Sequence, residues 1–593
     1  MISFILLWLC GLAQATDYYV SPSGSDSYSG TSPSQAWKTI SKVNGRAFAA
    51  GDRIFFEGGQ TFSGSLYFDT GDGGTPANPL TISSYGTGRA TISSGNSRGF
   101  FAYNRAAFVI TNLNFVGSGR TDTTGSDGIL FYTDLAGGVK LQHVRIDNVD
   151  VSGYRETAIQ IGGWHSSNSG FKNVRITNAI VHDNGDKGIS SYGYWPPSGW
   201  AHQDIYVGDC KVYNNAGNAG KTGHTGNGIV LSSVNGAIIE FCEAYNNGWL
   251  CDYAYSGGPV GIWAWDANNV VIQFCESYEN KTDNDKDGGG FDLDGGAVNS
   301  VMQYNYSHDN YGAGYLICQF DGARTFRNNT CRFNVSENDG YTGGYGAVTF
   351  WSSGSNGGIQ DTYVYNNTLY VGPNTTGHGI DVGSGAIYNT YIYNNIIVTV
   401  PNKRVVNMSS TSGGWYFKGN CYWTYGDNIE IKWGGTTYTS LAAWRSATGQ
   451  EKLGGNNVGF ECDPCLVDVG NGGTIGDPCN LAGLTAYKLQ GSSPLINAAL
   501  DIQSLFGIDP GLRDYYGTSI PRCYQFDVGA HEFYFSPADF DCDEAVDFSD
   551  YARLAGAWMT DFGEPDFNDI YDLNNNDTVD MPDIGIFSEE WLQ

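Results

Sequence analysis

Basic residues are scarce in this chain. Against 61 aspartates and glutamates stand only 31 lysines and arginines, a formal net charge of −30 over 593 residues. Nucleic-acid binding needs lysine and arginine patches to neutralise phosphates, so that class is disfavoured. Naked polyanionic substrates are disfavoured for the same reason, unless local basic sites or bound calcium intervene. Long hydrophobic runs are also lacking: beyond the first dozen residues no stretch offers roughly 18 uncharged apolar residues, which argues against a membrane span. A second cysteine pair at zinc spacing is missing as well, so Cys462-Asp-Pro-Cys465 reads as a structural disulfide rather than a zinc ligand pair.

The beginning of the chain does carry a short apolar run, Ile2 to Leu12, followed by the small-x-small sequence Ala13-Gln-Ala15. Residues 1–15 are therefore expected to be a secretory signal peptide, and the mature protein to be secreted and extracellular or attached at a cell surface. Thirteen cysteines suit such an oxidising compartment. Three of them, Cys210, Cys242 and Cys275, occupy equivalent places in a repeat and form a column, read either as a core ladder or as neighbouring-rung disulfides.

The repeat itself is explicit. Strand-like openings recur at Ile129, Ile159, Ile189, Ile229, Ile262, Phe291, Tyr315, Val348 and Ile380, mostly after glycine, at a solenoid period of roughly 24 to 40 residues. Each repeat then ends in an asparagine-rich turn such as Val212-Tyr-Asn-Asn215 or Ala244-Tyr-Asn-Asn247. Asparagine tolerates the left-handed turn and can bond to its copy one coil along. Parallel strands stacked about 4.8 Å apart follow, whereas a β-propeller would need four-stranded antiparallel blades. The opening Asp17-Tyr-Tyr-Val-Ser-Pro-Ser-Gly-Ser-Asp26 with Trp37-Lys-Thr-Ile40 resembles that of secreted pectin-lyase-like proteins. The resemblance implies an all-β, right-handed parallel β-helix solenoid, here over residues 16–430, with a capping segment over 431–535.

The sharpest chemical signal is Asp287-Gly-Gly-Gly-Phe-Asp-Leu-Asp-Gly-Gly296. Alternation along a strand puts Phe291 and Leu293 on one face and Asp292 and Asp294 on the other. Two carboxylates about 6.7 Å apart raise the pKa of one and leave its partner ionised, the arrangement glycoside hydrolysis uses. Asp292 and Asp294 are the candidate catalytic pair. In equivalent positions of neighbouring repeats stand Trp263, Trp265 and Trp351, and Tyr192 opens a long aromatic insertion; these four are candidate sugar platforms. The alternative role for the pair is to bind calcium together with Asp283, Asp285 and Asp287, whose alternate spacing is also ligand-like.

Two other functions remain open at this level. Gly290–Gly295 and Ser307–Gly314 are similar in layout to the core of calcium-dependent pectate lyases, although Asp294 stands where their base lysine would be. A polysaccharide lyase would draw its base from Lys187, Lys221 or His224. A non-catalytic carbohydrate-binding or adhesion β-helix would need only the aromatics. In each case the partner is a polysaccharide.

Residues 536–593 form a separate unit. Asp539, Asp541, Asp543 and Asp550, and again Asp572, Asn574, Asn576 and Asp583, occupy loop positions 1, 3, 5 and 12, a spacing of hard oxygen donors that fits calcium. Each loop runs into an apolar helical stretch. The duplicated unit resembles a type I dockerin, with Glu544 and Asp577 replacing the usual glycine at position 6. The resemblance implies a small α-helical calcium-loop domain that docks a cohesin-like scaffold or cell-surface protein.

Overall fold

The computed structural model describes residues 15–593 except 122–123, 197, 253–256, 355, 384, 522–524, 535, 542–544, 575 and 592–593. The expected signal segment lies outside the described residues apart from Ala15, as do Tyr253, Tyr255, Cys523, Asp543 and Glu544.

Almost every strand pairs in parallel with the equivalent strand of the next coil, and three such stacks make a solenoid with three long faces. The first sheet starts at Leu66–Phe68 and continues to Ile431–Trp433. The second runs from Asp17–Val20 to Trp415–Lys418, and the third from Thr61–Ser63 to Phe460–Glu461. The register of the first sheet is the one the repeat predicts: Ile129, Ile159, Ile189, Ile229, Ile262, Phe291, Tyr315, Val348 and Ile380 are successive Cα partners. All nine are fully buried in one continuous core. The glycine before an opening has a steric reason, since a Cβ on Gly290 would sit 2.2 Å from Ser307 Oγ.

The paired asparagines at the turns divide their work. Asn214 and Asn246 take the left-handed conformation, with φ of 57° and 49°. The next residue points inward, and its side-chain amide donates to its copy: Asn184 to Asn215, Asn215 to Asn247 and Asn247 to Asn280 at 3.0 Å, Asn280 to Asn310 at 2.9 Å. That ladder ends on a carboxylate, Asp339, at 2.8 Å. A second ladder, Asn305 through Asn334, Asn367, Asn395 and Asn420, ends on Glu451. Cys210, Cys242 and Cys275 are buried thiols, each donating to a carbonyl two residues back, so their column is a core ladder without disulfides. Cys462 and Cys465 are thiols too, which corrects the disulfide expectation; Cys462 lies against Cys421, whose thiol donates to its carbonyl at 3.4 Å.

Capping is accomplished by fewer residues than expected. The helix Leu441–Thr448 seals the C-terminal end, with Trp444 fully buried against Phe417 and Tyr422. The following chain instead turns back along the outside of the third sheet, where Leu484, Tyr487 and Leu495 pack on Tyr306, Val335 and Ile396. Two buried carboxylates pin this strap. Glu276 accepts from the backbone of Ile475 and Gly476, both at 2.7 Å, and Glu337 accepts from Tyr487 Oη at 2.7 Å.

The tail has a small core of its own around Phe540, Leu554, Val579 and Phe587, and its helices are Phe548–Gly556 and Met581–Trp591. Among the described residues no helix is long and apolar enough to cross a membrane.

Candidate active site

Strand Gly289–Leu293 puts Phe291 and Leu293 into the core and Asp292 on the outer side, one coil after Trp263 and one before Leu316. That column faces away from the interior, yet it is not open. Val230, Trp263, Asp292, Leu316 and Thr349 are 1%, 4%, 2%, 4% and 3% exposed. Long loops fold over them, so Trp263 is not the open platform expected: its indole N–H donates to Asn227 Oδ1 at 2.9 Å and its edge meets His224. The next column is the solvent-facing one, with Trp265, Asp294 and Cys318 half-buried and Trp351 39% exposed.

Asp292 and Asp294 do come together, with a third carboxylate that sequence reasoning assigned elsewhere. Asp287 neighbours both and adds to the field on each. Burial, reinforced by Asp294 and then Asp287, holds the Asp292 carboxyl well above the usual range. Its Oδ1 is buried and accepts no hydrogen bond from the described residues. Asp294 is pushed up to about 6 by burial, against which the Cys318 thiol and the Gly295 amide, 2.6 Å from Oδ1, favour the ionised form. Asp287 takes a positive φ of 49° and is raised by burial despite hydrogen bonds from Gly258 N at 2.6 Å and Tyr345 Oη at 3.1 Å. Of the calcium ligands suggested for this stretch, Asp287 stands with Asp292 and Asp294 and also bonds Tyr345 and Gly258, while Asp283 and Asp285 are exposed.

Around the carboxylates the insertions build walls. Trp195, from the loop after Lys187–Tyr192, packs on Trp265 and Phe320 at 5.7 and 6.1 Å between ring centroids. Arg324 fastens the same loop, lying 4.4 Å over the Trp200 ring while its Nε donates to Asp266 at 2.6 Å. Tyr345 Oη accepts from Asp287 N at 3.0 Å. The lysines considered as lyase bases are tied into ion pairs. Buried Asp186 takes Lys187 at 2.5 Å and Lys221 at 2.8 Å, and Lys221 also reaches Glu156 at 3.0 Å. His224 is depressed by burial to about 3. Cys318, Tyr345 and Phe320 escaped the sequence reading as site residues, and Asp287 was read only as a calcium ligand. For Asp287 the signal was there, in the triple glycine that carries the chain from it to the strand.

Tyr192 lies well away from this cluster, three coils from Asp292 along the register, and its ring leans over Gly162 of the preceding coil.

The tail offers oxygen donors in one place among the described residues. Carboxylate oxygens of Asp539, Asp541 and Asp550 lie within 4.8 Å of one another, a donor set that suits a hard cation. In the second loop Asp572 accepts from the backbone of Asn576 and Asp577, and Asp583 from that of Asn574 and Asp580. Asp577 at loop position 6 adopts φ 67°, the left-handed conformation that glycine usually supplies there.

Comparison with known proteins agrees with the fold. Residues 127–330 match the right handed beta helix region family model. A lacto-N-biosidase of Bifidobacterium longum subsp. longum is 25% identical over 457 residues, 60% of this chain and 27% of that protein. The chain thus spans about a quarter of the length of the curated relative it matches. Among solved structures, a GH136 lacto-N-biosidase from Eubacterium ramulus aligns with a TM-score of 0.50 at 18% identity, covering 64% of this chain and 68% of that one. Pectate lyase Pel9A aligns with a TM-score of 0.38 at 15% identity, covering 88% and 98%. The structural likeness is one of fold, and the sequence similarity to a glycoside hydrolase is distant.

Proposed function

We propose that this protein is a secreted glycoside hydrolase acting on polysaccharide or oligosaccharide, with its active site at Asp292, Asp294 and Asp287. The observation that carries the reading is the Asp292 carboxyl: buried, held well above the usual range by that burial and by two neighbouring carboxylates, and with one oxygen that no donor among the described residues meets. A protonated acid beside a half-buried carboxylate of pKa about 6 is what protonating a leaving oxygen while attacking the sugar, or activating water against it, requires. Asp292 then supplies the proton and Asp294 serves as nucleophile or base. Exposure favours a second assignment of roles. Asp287 and Asp294 are half-buried where Asp292 is 2% exposed, so substrate reaches them first and Asp292 would hold their charges apart. Trp265, Trp351, Trp195 and Phe320 offer ring surface to the sugar. The distant lacto-N-biosidase relative supports hydrolysis over elimination, and the paired lysines remove the obvious lyase bases. New reducing ends from a panel of purified glycans, without unsaturated uronate absorbance, is the expected result; uronate absorbance would replace this reading with a lyase, and neither product with a binding protein.

The tail is proposed to bind calcium through Asp539, Asp541, Asp543 and Asp550, and through Asp572, Asn574, Asn576 and Asp583, and to dock a cohesin-like scaffold or surface protein. Calcium there offsets the mutual repulsion of the loop carboxylates. Exposed Phe548, Met559 and Phe562 supply apolar surface for the partner. Circular dichroism of residues 536–593 with calcium and then chelator tests it; an unchanged spectrum refutes calcium-dependent folding.

A further inference from the structure

The outer face that carries the acid cluster has a second concavity near its N-terminal end. Along the register Leu130, Gln160, Ser190, Val230, Trp263 and Asp292 follow one another. Five strand spacings, roughly 24 Å, therefore separate Leu130 from the acid cluster. A cleft of about 520 Å³ opens over Leu130 and Gln160, within the size range of small-molecule sites. Leu130 is its buried apolar floor, and Tyr67, Tyr103 and Tyr132 are partly exposed walls.

Polar groups converge on the same space. Asp127 is 8% exposed, accepts from Thr157 N at 3.3 Å, and stands 3.5 Å from Arg98 Nε. Arg98 itself is exposed and lies 4.7 Å over the Phe101 ring, which fixes its guanidinium at the rim. Tyr192 arrives from the next coil: its ring occupies the space a Cβ on Gly162 would need, 2.5 Å from Cζ and Oη. The bare glycine is what lets this phenol reach into the cleft, where the Asp127 carboxylate acts on it.

The chemistry selects the occupant. Arg98 and Asp127 cancel each other's charge, so an anionic ligand gains nothing net. What remains is a fork of one donor and one acceptor group, an amide at Gln160, and aromatic walls. Hydrogen-bonding groups of both kinds beside aromatic carbon match a pyranose ring, with hydroxyls at its rim and C–H bonds on its faces. Among the described residues lining the cleft Asp127 is the one carboxylate, and glycoside cleavage takes two.

We propose that this cleft is a non-catalytic binding site for a short neutral stretch of glycan, holding the chain about five coils from the carboxylates. The proposal rests on the carbohydrate reading above but not on which carboxylates react.

The test uses the full-length Asp294→Asn protein, titrated by calorimetry with xylohexaose, cellohexaose, mannohexaose and β-1,4-galactohexaose. Arg98→Ala and Tyr132→Ala are then introduced separately; Arg98 is a surface residue, so its variant keeps the fold even if the Tyr132 variant loosens the coil. At least one hexasaccharide should bind, and Arg98→Ala should weaken that binding tenfold or more. Absence of binding by all four, or binding that Arg98→Ala and a folded Tyr132→Ala leave unchanged, overturns the proposal. Glycan cleavage by the wild-type chain together with unchanged binding removes the cleft and keeps the hydrolase. Cleft-dependent binding by a wild-type chain that cleaves nothing does the reverse.

Discussion

Two buried aspartates, Asp339 in the interior and Asp292 on the outer face, both keep their protons to an unusually high pH. Asp339 is pushed up to about 7 by burial, and Asp292 well above the usual range by burial and two carboxylate neighbours. Their hydrogen bonding separates them. Asp339 closes an asparagine ladder, with Oδ1 accepting from the Asn310 amide at 2.8 Å and its backbone N–H at 3.2 Å, and Oδ2 from Ser336 Oγ at 2.6 Å. At Asp292 Oδ1 nothing arrives from the described residues. A raised pKa alone therefore does not distinguish a structural acid from a reactive one. The oxygen left open, beside other carboxylates, does.

The largest expected effect lies on the outer face. Replacing the two reacting carboxylates by asparagine should each cost a thousandfold or more in kcat/KM, about 4 kcal/mol of transition-state stabilisation, with little change in melting temperature. Asp294→Asn is in that class under both assignments. Whether Asp292→Asn or Asp287→Asn joins it decides the general acid, and the remaining variant should lose about ten- to a hundredfold by altering the charge balance alone. Retention of near-normal turnover by Asp294→Asn would remove the site.

Inside the coil the order reverses, and stability responds while chemistry does not. Asn247→Ala in mid-ladder leaves the Asn215 side-chain amide and backbone N–H without their acceptor and takes the amide donor from the Val212 carbonyl. A loss of about 2 to 3 kcal/mol should follow, read by denaturant unfolding, with kcat/KM unchanged in the folded fraction.

Asp339→Asn should act the other way, and only at higher pH. A folded-state pKa of about 7, above the ordinary 3.8, means the protonated form stabilises the fold. That contribution is complete below the ordinary value and is lost as pH rises through about 7. An asparagine can give its carbonyl to Asn310 and its amide to Ser336 Oγ at every pH. The variant should therefore lie close to the wild type near pH 4 and exceed it by about 4 kcal/mol at pH 8, where the rise from 3.8 to about 7 is fully expressed. Equal melting curves at both pH values would show that Asp339 is not the acid the ladder ends on.

The interior was legible in the sequence and the outer face only in outline. Ile129 to Ile380 and the asparagine pairs repeat because every coil presents the same steric problem to its neighbours, so periodicity alone fixed their register. The alternation of Phe291, Asp292, Leu293 and Asp294 similarly told inward from outward. What it could not tell is what covers the outward side. Trp263 is closed over because Asn227 and His224, belonging to an earlier coil and its loop, fold onto it. Asp287 joins the acid cluster through a left-handed turn and a bond to Tyr345, 58 residues on. Neither contact has a period, so neither leaves a mark in spacing.

The smallest predicted effect concerns Cys318, which takes the place of Asp294 one coil further on and donates its thiol to that carboxylate. Burial drives Asp294 up and the thiol opposes it, so the residue acts by position rather than by touching substrate. Removing the donor in Cys318→Ala should raise the Asp294 pKa above about 6. A bond of about 1 kcal/mol corresponds to a shift of roughly half a unit to one unit. Asp294 works ionised, so the acidic limb of kcat/KM against pH should move upward, lowering activity several-fold near pH 5.5 and hardly at all at pH 8. Cys318→Ser, which restores a stronger donor, should return the limb to its original place or below it. A purely packing role for the thiol would lower the whole profile without moving its limb, and serine, being smaller, would then not rescue it.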